Sequence, residues 1–126
     1  MTLQLKPRDV DQRATVLTKA VLRAAALLKV TNRELSEIIG VSPSFVSNLK
    51  SGSAVLAMES KPAELAAHFI RAYRSLDAIV GGDEATAAAW LRHENTALGA
   101  PPLQYMKSVY GLVDTVSYLD QRRAPL

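Results

Sequence analysis

Apolar residues return at three- and four-residue steps along most of this chain, and no segment shows sustained two-residue alternation with β-branched enrichment. Val16, Leu17, Ala20, Val21, Ala24, Leu27 and Leu28 form the first such series, with Arg13, Lys19 and Arg23 largely on the other side. That spacing predicts an amphipathic helix over residues 9–29. Thr31 then offers a hydroxyl N-cap with Glu34 as its capping-box partner, and Leu35, Ile38 and Ile39 supply the apolar face of a short second helix running to Gly40. Ser42 caps a third helix with Pro43 at its first position, where a missing N–H is harmless because that donor lies outside the helical ladder anyway. This helix ends near Lys50, and residues 53–60, SAVLAMES, have no period and read as a connector.

Beyond Ser60 the pattern resumes. Leu65, Phe69, Ala72, Tyr73, Leu76, Ile79 and Val80 make the strongest stripe in the chain, closed by Gly81-Gly82. Asp83 caps EATAAAWLRHEN, a helix of high intrinsic propensity whose Trp90 and Leu91 point to the core. Leu-Gly and Pro-Pro punctuation at 98–102 breaks it. Two more helices follow over 102–109 and 111–122, Gly111 starting the last one, which carries Leu112, Val113, Val116, Tyr118 and Leu119. The expectation is an all-α protein with an N-terminal helical unit over 1–59 and a second over 60–126.

The second and third helices invite a specific arrangement. Two short helices joined at Gly40 can cross only if the residues at the crossing are small or apolar and the turn tolerates a positive φ. Leu35, Ile38, Val41, Val46 and Leu49 then form the buried set, leaving Pro43, Ser44, Ser47, Asn48 and Lys50 exposed. This is the geometry in which a helix enters the DNA major groove. Ser44, Ser47 and Asn48 are candidate base readers, since hydroxyl and amide groups donate and accept; Arg33, Ser42 and Lys50 are candidate phosphate contacts. Phe45 has two options, packing inside or lying against a thymine methyl. Taken alone, the segment would also suit a capped surface helix of a plain bundle.

The stretch NRELSEIIGVSPSFVSNLKSG resembles the Xre-type (lambda-repressor-like) helix-turn-helix of bacterial and phage regulators, with Leu35, Gly40-Val41-Ser42, Val46-Ser47 and Leu49 in the usual places. Ser36 stands where alanine is more usual. In the second half, Trp90-Leu91, Asn95, Leu98-Gly99, Pro102-Leu103, Gly111 and Val116 with Leu119 look like the toxin-binding domain of Xre/MbcA/ParS-like antitoxins, which follows such a helix-turn-helix in the same chain. The resemblance implies a non-enzymatic antitoxin that neutralises a RES-domain toxin, an NAD-consuming enzyme, by covering its active site, and that represses its own operon on operator DNA. It implies a toxin-facing set of Asn95, Leu98, Gly99, Pro102, Leu103, Tyr110, Tyr118, Arg122, Arg123, Pro125 and Leu126. Many relatives end in a glycine-containing stretch, whereas here Arg-Arg-Ala-Pro-Leu follows the last helix.

Charge and composition narrow this little but consistently. The net charge of +3 resides in residues 1–59, with eight Lys/Arg against five Asp/Glu, while residues 60–126 balance at seven against seven. A polyanion partner for the first half is compatible with this surplus. The absence of cysteine excludes disulfides, thiolate metal sites and cysteine nucleophiles, and fits a reducing cytoplasm. No apolar run suits a signal peptide or a membrane span.

His68 and His93 lack companions spaced for a metal set, and Asp114 and Asp120 are too far apart on their helix to form an acid/base pair unaided. No cofactor, metal or catalytic residue is expected. A homodimer is expected, because helix-turn-helix proteins commonly read paired half-sites. The alternatives are an ordinary Xre-family repressor whose second half only dimerises or senses a ligand, and a small enzyme, for which no nucleophile-base pair or phosphate loop speaks.

Overall fold

The computed structural model of the chain describes residues 7–123, with side chains from Gln12 onward. They form seven helices: α1 (Pro7–Leu27), α2 (Asn32–Ile39), α3 (Pro43–Ser51), α4 (Lys61–Ile79), α5 (Glu84–Arg92), α6 (Pro102–Tyr105) and α7 (Val109–Arg123). No strand occurs among the described residues. None of the helices is long and apolar enough to cross a membrane.

α1 begins and ends two residues earlier than its apolar period suggests; its end is set where Lys29 turns left-handed at φ 57° and the Val30 N–H returns to the Ala25 carbonyl at 2.8 Å. No glycine marks that stop, so the apolar pattern alone runs past it. Val16 also leaves the expected inward stripe and stands exposed, while Val21, Ala24 and Leu28 are buried.

α2 opens on the expected capping box: Thr31 Oγ1 accepts from the Glu34 N–H at 3.1 Å, and Glu34 Oε1 accepts from the Thr31 N–H at 2.9 Å. Gly40 closes it at φ 76°. Ser36 is buried, and its hydroxyl donates to the Arg33 carbonyl at 2.6 Å, so the serine in an alanine's place leaves no polar group stranded. The aperiodic connector is held by a buried bond from the Leu56 N–H to Thr18 Oγ1, 3.0 Å long, which stitches it to α1.

α4 is the central post, packing against α1, α2, α5 and α7. Its buried Phe69, Ile70, Ala72 and Leu76 belong to one unbroken core that also takes in Leu35 and Val46 from the first half and Leu112 and Leu119 from the second. The boundary expected at 59/60 falls in the connector before this shared helix. Against α7, the buried Ser75 hydroxyl donates to Asp120 Oδ1 at 2.7 Å, and Arg71 Nε and Nη2 reach Asp120 Oδ2 at 2.8 and 2.7 Å. These contacts hold the Asp120 carboxyl below its ordinary pKa, the Ser75 bond foremost.

The second half departs from expectation at several points. α5 ends at Arg92, not Asn95, where His93 becomes extended and Asn95 starts a turn. α6 stops at Tyr105 after four residues. Gly111 lies inside α7 and does not start it: a Cβ there would overlap the Tyr105 carbonyl oxygen, so glycine is demanded by the close approach of two backbones. Trp90 is half-buried, stacked on Tyr118 with ring centroids 6.3 Å apart, and Val113 is exposed.

An ionic tie joins the halves. Arg92 Nη1 donates to Glu34 Oε2 at 3.0 Å and Nη2 to Glu34 Oε1 at 2.9 Å. The Arg92 hydrogen bond, reinforced by the capping box, lowers the Glu34 pKa to about 2 from 4.5. A depressed carboxylate stabilises the fold fully above the unfolded pKa and loses that contribution as pH falls through the folded one. Allowing for the exposure of Arg92, its worth at neutral pH is about 1–2 kcal/mol. A Glu34→Gln protein is therefore expected to melt below the parent at pH 7, and the two curves to converge as pH is lowered from about 4.5 towards 2. A gap that stays constant down to acid would contradict the tie.

Candidate functional site

α3 exists as a separate helix because Gly40 and Ser42 break and restart the chain. The Ser42 hydroxyl accepts from the Phe45 N–H at 3.1 Å and sits 3.1 Å from Ser44 Oγ. The inward residues Val46 and Leu49 anchor the helix on the core. Arg33, Ser42, Ser44, Ser47, Asn48 and Lys50 all reach the surface. Ser47 Oγ donates back to the Pro43 carbonyl at 3.4 Å, and Ser42 spends its oxygen on capping. Ser44 and Asn48 therefore remain the side chains best placed to reach outward. α3 carries no carboxylate, and its one charge is Lys50 in the last turn. Phe45 is half-buried and packs against the core, beside Val41, Leu56 and Pro62, which settles its two options in favour of packing.

The second surface is built around α7. Leu112, Val116 and Leu119 bury one stripe, and Tyr110 rises from the opposite side with 74% of its surface exposed. Val109 and Val113, one turn apart, are 57% and 43% exposed. Three large apolar side chains thus share an uncovered face. The Tyr105 ring meets the edge of Tyr110 at 6.2 Å, and its hydroxyl donates to Asp114 Oδ2 at 2.6 Å, a bond that pushes the phenol up to about 12. Asp114 is thereby a structural acceptor.

The expected toxin-facing set divides. Pro102 and Leu103 are buried, Leu103 at 2% exposure, and so serve the core and leave the candidate surface: the Pro-started turn drives them under α7. Asn95 Oδ1 accepts from the Leu98 N–H at 3.1 Å, the Gly99 N–H returns to the Asn95 carbonyl at 2.8 Å, and Gly99 adopts φ 80°. Asn95, Leu98 and Gly99 thus shape a turn. Tyr118 meets both the Trp90 ring and the Arg122 guanidinium, whose carbon is 4.3 Å from the ring centroid. Arg123 Nη1 reaches Ser75 Oγ at 3.4 Å. Pro125 and Leu126 lie outside the described residues.

The apolar pattern does not single out Val109, and it groups Val113 with the inward residues of the last helix. A signal is nonetheless present in the spacing: Val113 follows Leu112 by about 100° around the helix, away from the 112–116–119 stripe. His93 Nδ1 lies 2.7 Å from the Ala89 carbonyl, a local bond to the helix that it closes.

Residues 7–71 match the antitoxin Xre-like helix-turn-helix domain, and residues 75–124 match the antitoxin Xre/MbcA/ParS C-terminal toxin-binding domain. The chain belongs to the Xre/MbcA/ParS-like antitoxins. No curated protein matches it. The antitoxin's two matched spans meet within α4, the helix that packs against elements of both. The exposed flank of α3 thus lies in the DNA-binding span and the Val109–Tyr110–Val113 face in the toxin-binding span.

Proposed function

We propose that the antitoxin neutralises a RES-domain, NAD-consuming toxin by laying the Val109–Tyr110–Val113 face at the start of α7 over the toxin's active-site entrance, with the far end of the helix as a second contact. The observation that carries this reading is the uncovered apolar face of α7 within the span that matches a toxin-binding domain. Large exposed apolar patches mark partner sites, and tyrosine is favoured there. The inhibition is steric: the antitoxin covers the dinucleotide's way in and performs no chemistry itself. Tyr118, Arg122 and Arg123 orient the end of α7.

In the same reading, a cytoplasmic homodimer represses its own operon, with α3 of each copy in the major groove of one half-site. Ser44 and Asn48 read base edges, Ser47 assists, and Arg33, Lys50 and the N-terminal N–H groups of α3 meet phosphates.

Purified antitoxin, added to the RES-type product of a neighbouring reading frame, is expected to abolish NAD loss at a stoichiometric ratio. Undiminished NAD loss, or a neighbouring frame without such a product, would leave the ordinary-repressor reading in its place. Operator binding by Asn48→Ala is expected to change in sequence preference, and that of Lys50→Ala to weaken evenly across sequences, by competition among duplexes.

A further inference from the structure

α2 carries two carboxylates, Glu34 and Glu37, and both are held by cations from the toxin-binding half. Arg92, at the end of α5, grips both oxygens of Glu34 and passes a further N–H to the Lys29 carbonyl at 2.9 Å. Lys29 is the sole non-glycine residue with positive φ among those described, so the same guanidinium braces the strained turn that launches α2. Lys107, in the corner after α6, places Nζ 3.3 Å from Glu37 Oε1. Both cations belong to elements that the core has already fixed: Leu91 beside Arg92 and Met106 beside Lys107 are buried.

The location of these carboxylates matters electrostatically. In a docked helix-turn-helix the first helix crosses the phosphate backbone. Glu34 occupies the N-terminal turn of α2, where the helix end would otherwise welcome a phosphate. Glu37 shares a face of α2 with Arg33, the candidate phosphate contact one turn earlier. Uncompensated, two negative charges would repel the duplex at the place where the motif must approach it.

We propose that Arg92 and Lys107 are part of the DNA-binding apparatus: they cancel Glu34 and Glu37, and so make the α2 face acceptable to a nucleic-acid backbone. The inference rests on the DNA-binding reading above and adds two residues from outside the helix-turn-helix to it. They act through the glutamates and are positioning residues in this sense. A toxin-binding half thus sets part of the affinity for DNA.

Because the effect acts on phosphates, it is measurable without a known operator. The full-length antitoxin and its variants are titrated onto a fixed 30-base-pair duplex of arbitrary sequence, at low and at physiological salt, with fluorescence anisotropy as readout. Lys107→Met and Arg92→Met are each expected to bind about three- to fivefold more weakly at low salt, since several phosphates lie within one Debye length of an uncovered carboxylate. The doubles Glu37→Gln/Lys107→Met and Glu34→Gln/Arg92→Met are expected to return to within about twofold of the parent. Glutamine at position 34 can still complete the capping box, so that change isolates the charge. Arg71→Met removes the same charge from the Asp120 pair between α4 and α7 and is expected to shift binding by less than about 1.5-fold.

Doubles as weak as the singles would assign the loss to structure and overturn the proposal, as would singles equal to the parent. An Arg71→Met loss as large as that of Lys107→Met would overturn it in favour of net charge alone. A parent protein that binds no duplex at either salt would instead sink the DNA-binding reading beneath it. Where Arg92→Met disturbs the Lys29 turn, the comparison of Lys107→Met with its Glu37→Gln double decides between the outcomes, because the Lys107 pair is a contact of side chains alone.

Discussion

A Gly111→Ala protein is expected to melt roughly 10–15 °C below the parent. The new methyl would overlap the Tyr105 carbonyl oxygen, come within 2.7 Å of its carbonyl carbon and crowd Ser108 Oγ at 2.8 Å. Two of those three atoms are backbone, and they belong to the corner that Leu103, Met106 and Leu112 fasten into the core. Relief requires α6 to part from α7, which opens that packing and breaks the Gly111 N–H bond to Ser108 Oγ, 3.0 Å long. The combined effect is about 3 kcal/mol, in the range of overpacked cores. Thermal denaturation followed by circular dichroism checks it, and a shift under about 3 °C would show that the corner yields easily. Because Gly111 is not a turn former at φ > 0 but a point of contact, Ser is expected to be no better tolerated than Ala.

The adjacent residue gives the opposite signature. Tyr110→Ala combined with Val113→Glu removes the exposed ring and plants a charge beside Val109, replaces no buried residue, and costs the fold the edge contact of Tyr110 with Tyr105. Melting is expected to stay within about 5 °C of the parent, the aromatic pair being worth about 1 kcal/mol. Affinity for the RES-type toxin proposed as its partner is expected to fall about 100-fold or more, since aromatic anchors in an interface centre are worth about 2–4 kcal/mol and a desolvated unpaired carboxylate adds to the loss. Calorimetric titration with catalytically silent toxin measures it. Retained affinity would move the docking surface off this face of α7, and the end of the helix around Tyr118 and Arg122 would be tested next. On the proposed docking, neighbouring residues 110 and 111 are expected to separate toxin binding from folding.

What local chemistry controls is legible from the order of residues. The capping box Thr31–Glu34, the Ser42-Pro43 start and the αL turn at Gly40 depend on contacts within a few positions, so their residue types announce them. The 3.6-residue period assigns α4 its buried side for the same reason. The end of α1 is not legible, because Lys29 holds a left-handed turn with its carbonyl bound by Arg92, 63 residues away.

Periodicity and caps mark an all-helical chain, and the resemblance of its motifs to a known family marks the helix-turn-helix and the order of the two antitoxin segments. Periodicity, caps and motif spacing are short-range properties carried by residue type. Which apolar residues of α7 are covered, that Pro102 and Leu103 serve the core, and that Gly111 answers to Tyr105 follow from the packed fold. That fold alone brings Arg92 and Lys107 onto the glutamates of α2. Burial, close approach and charge pairing are set by what lies across the fold, where packing around α4 brings together residues distant in sequence.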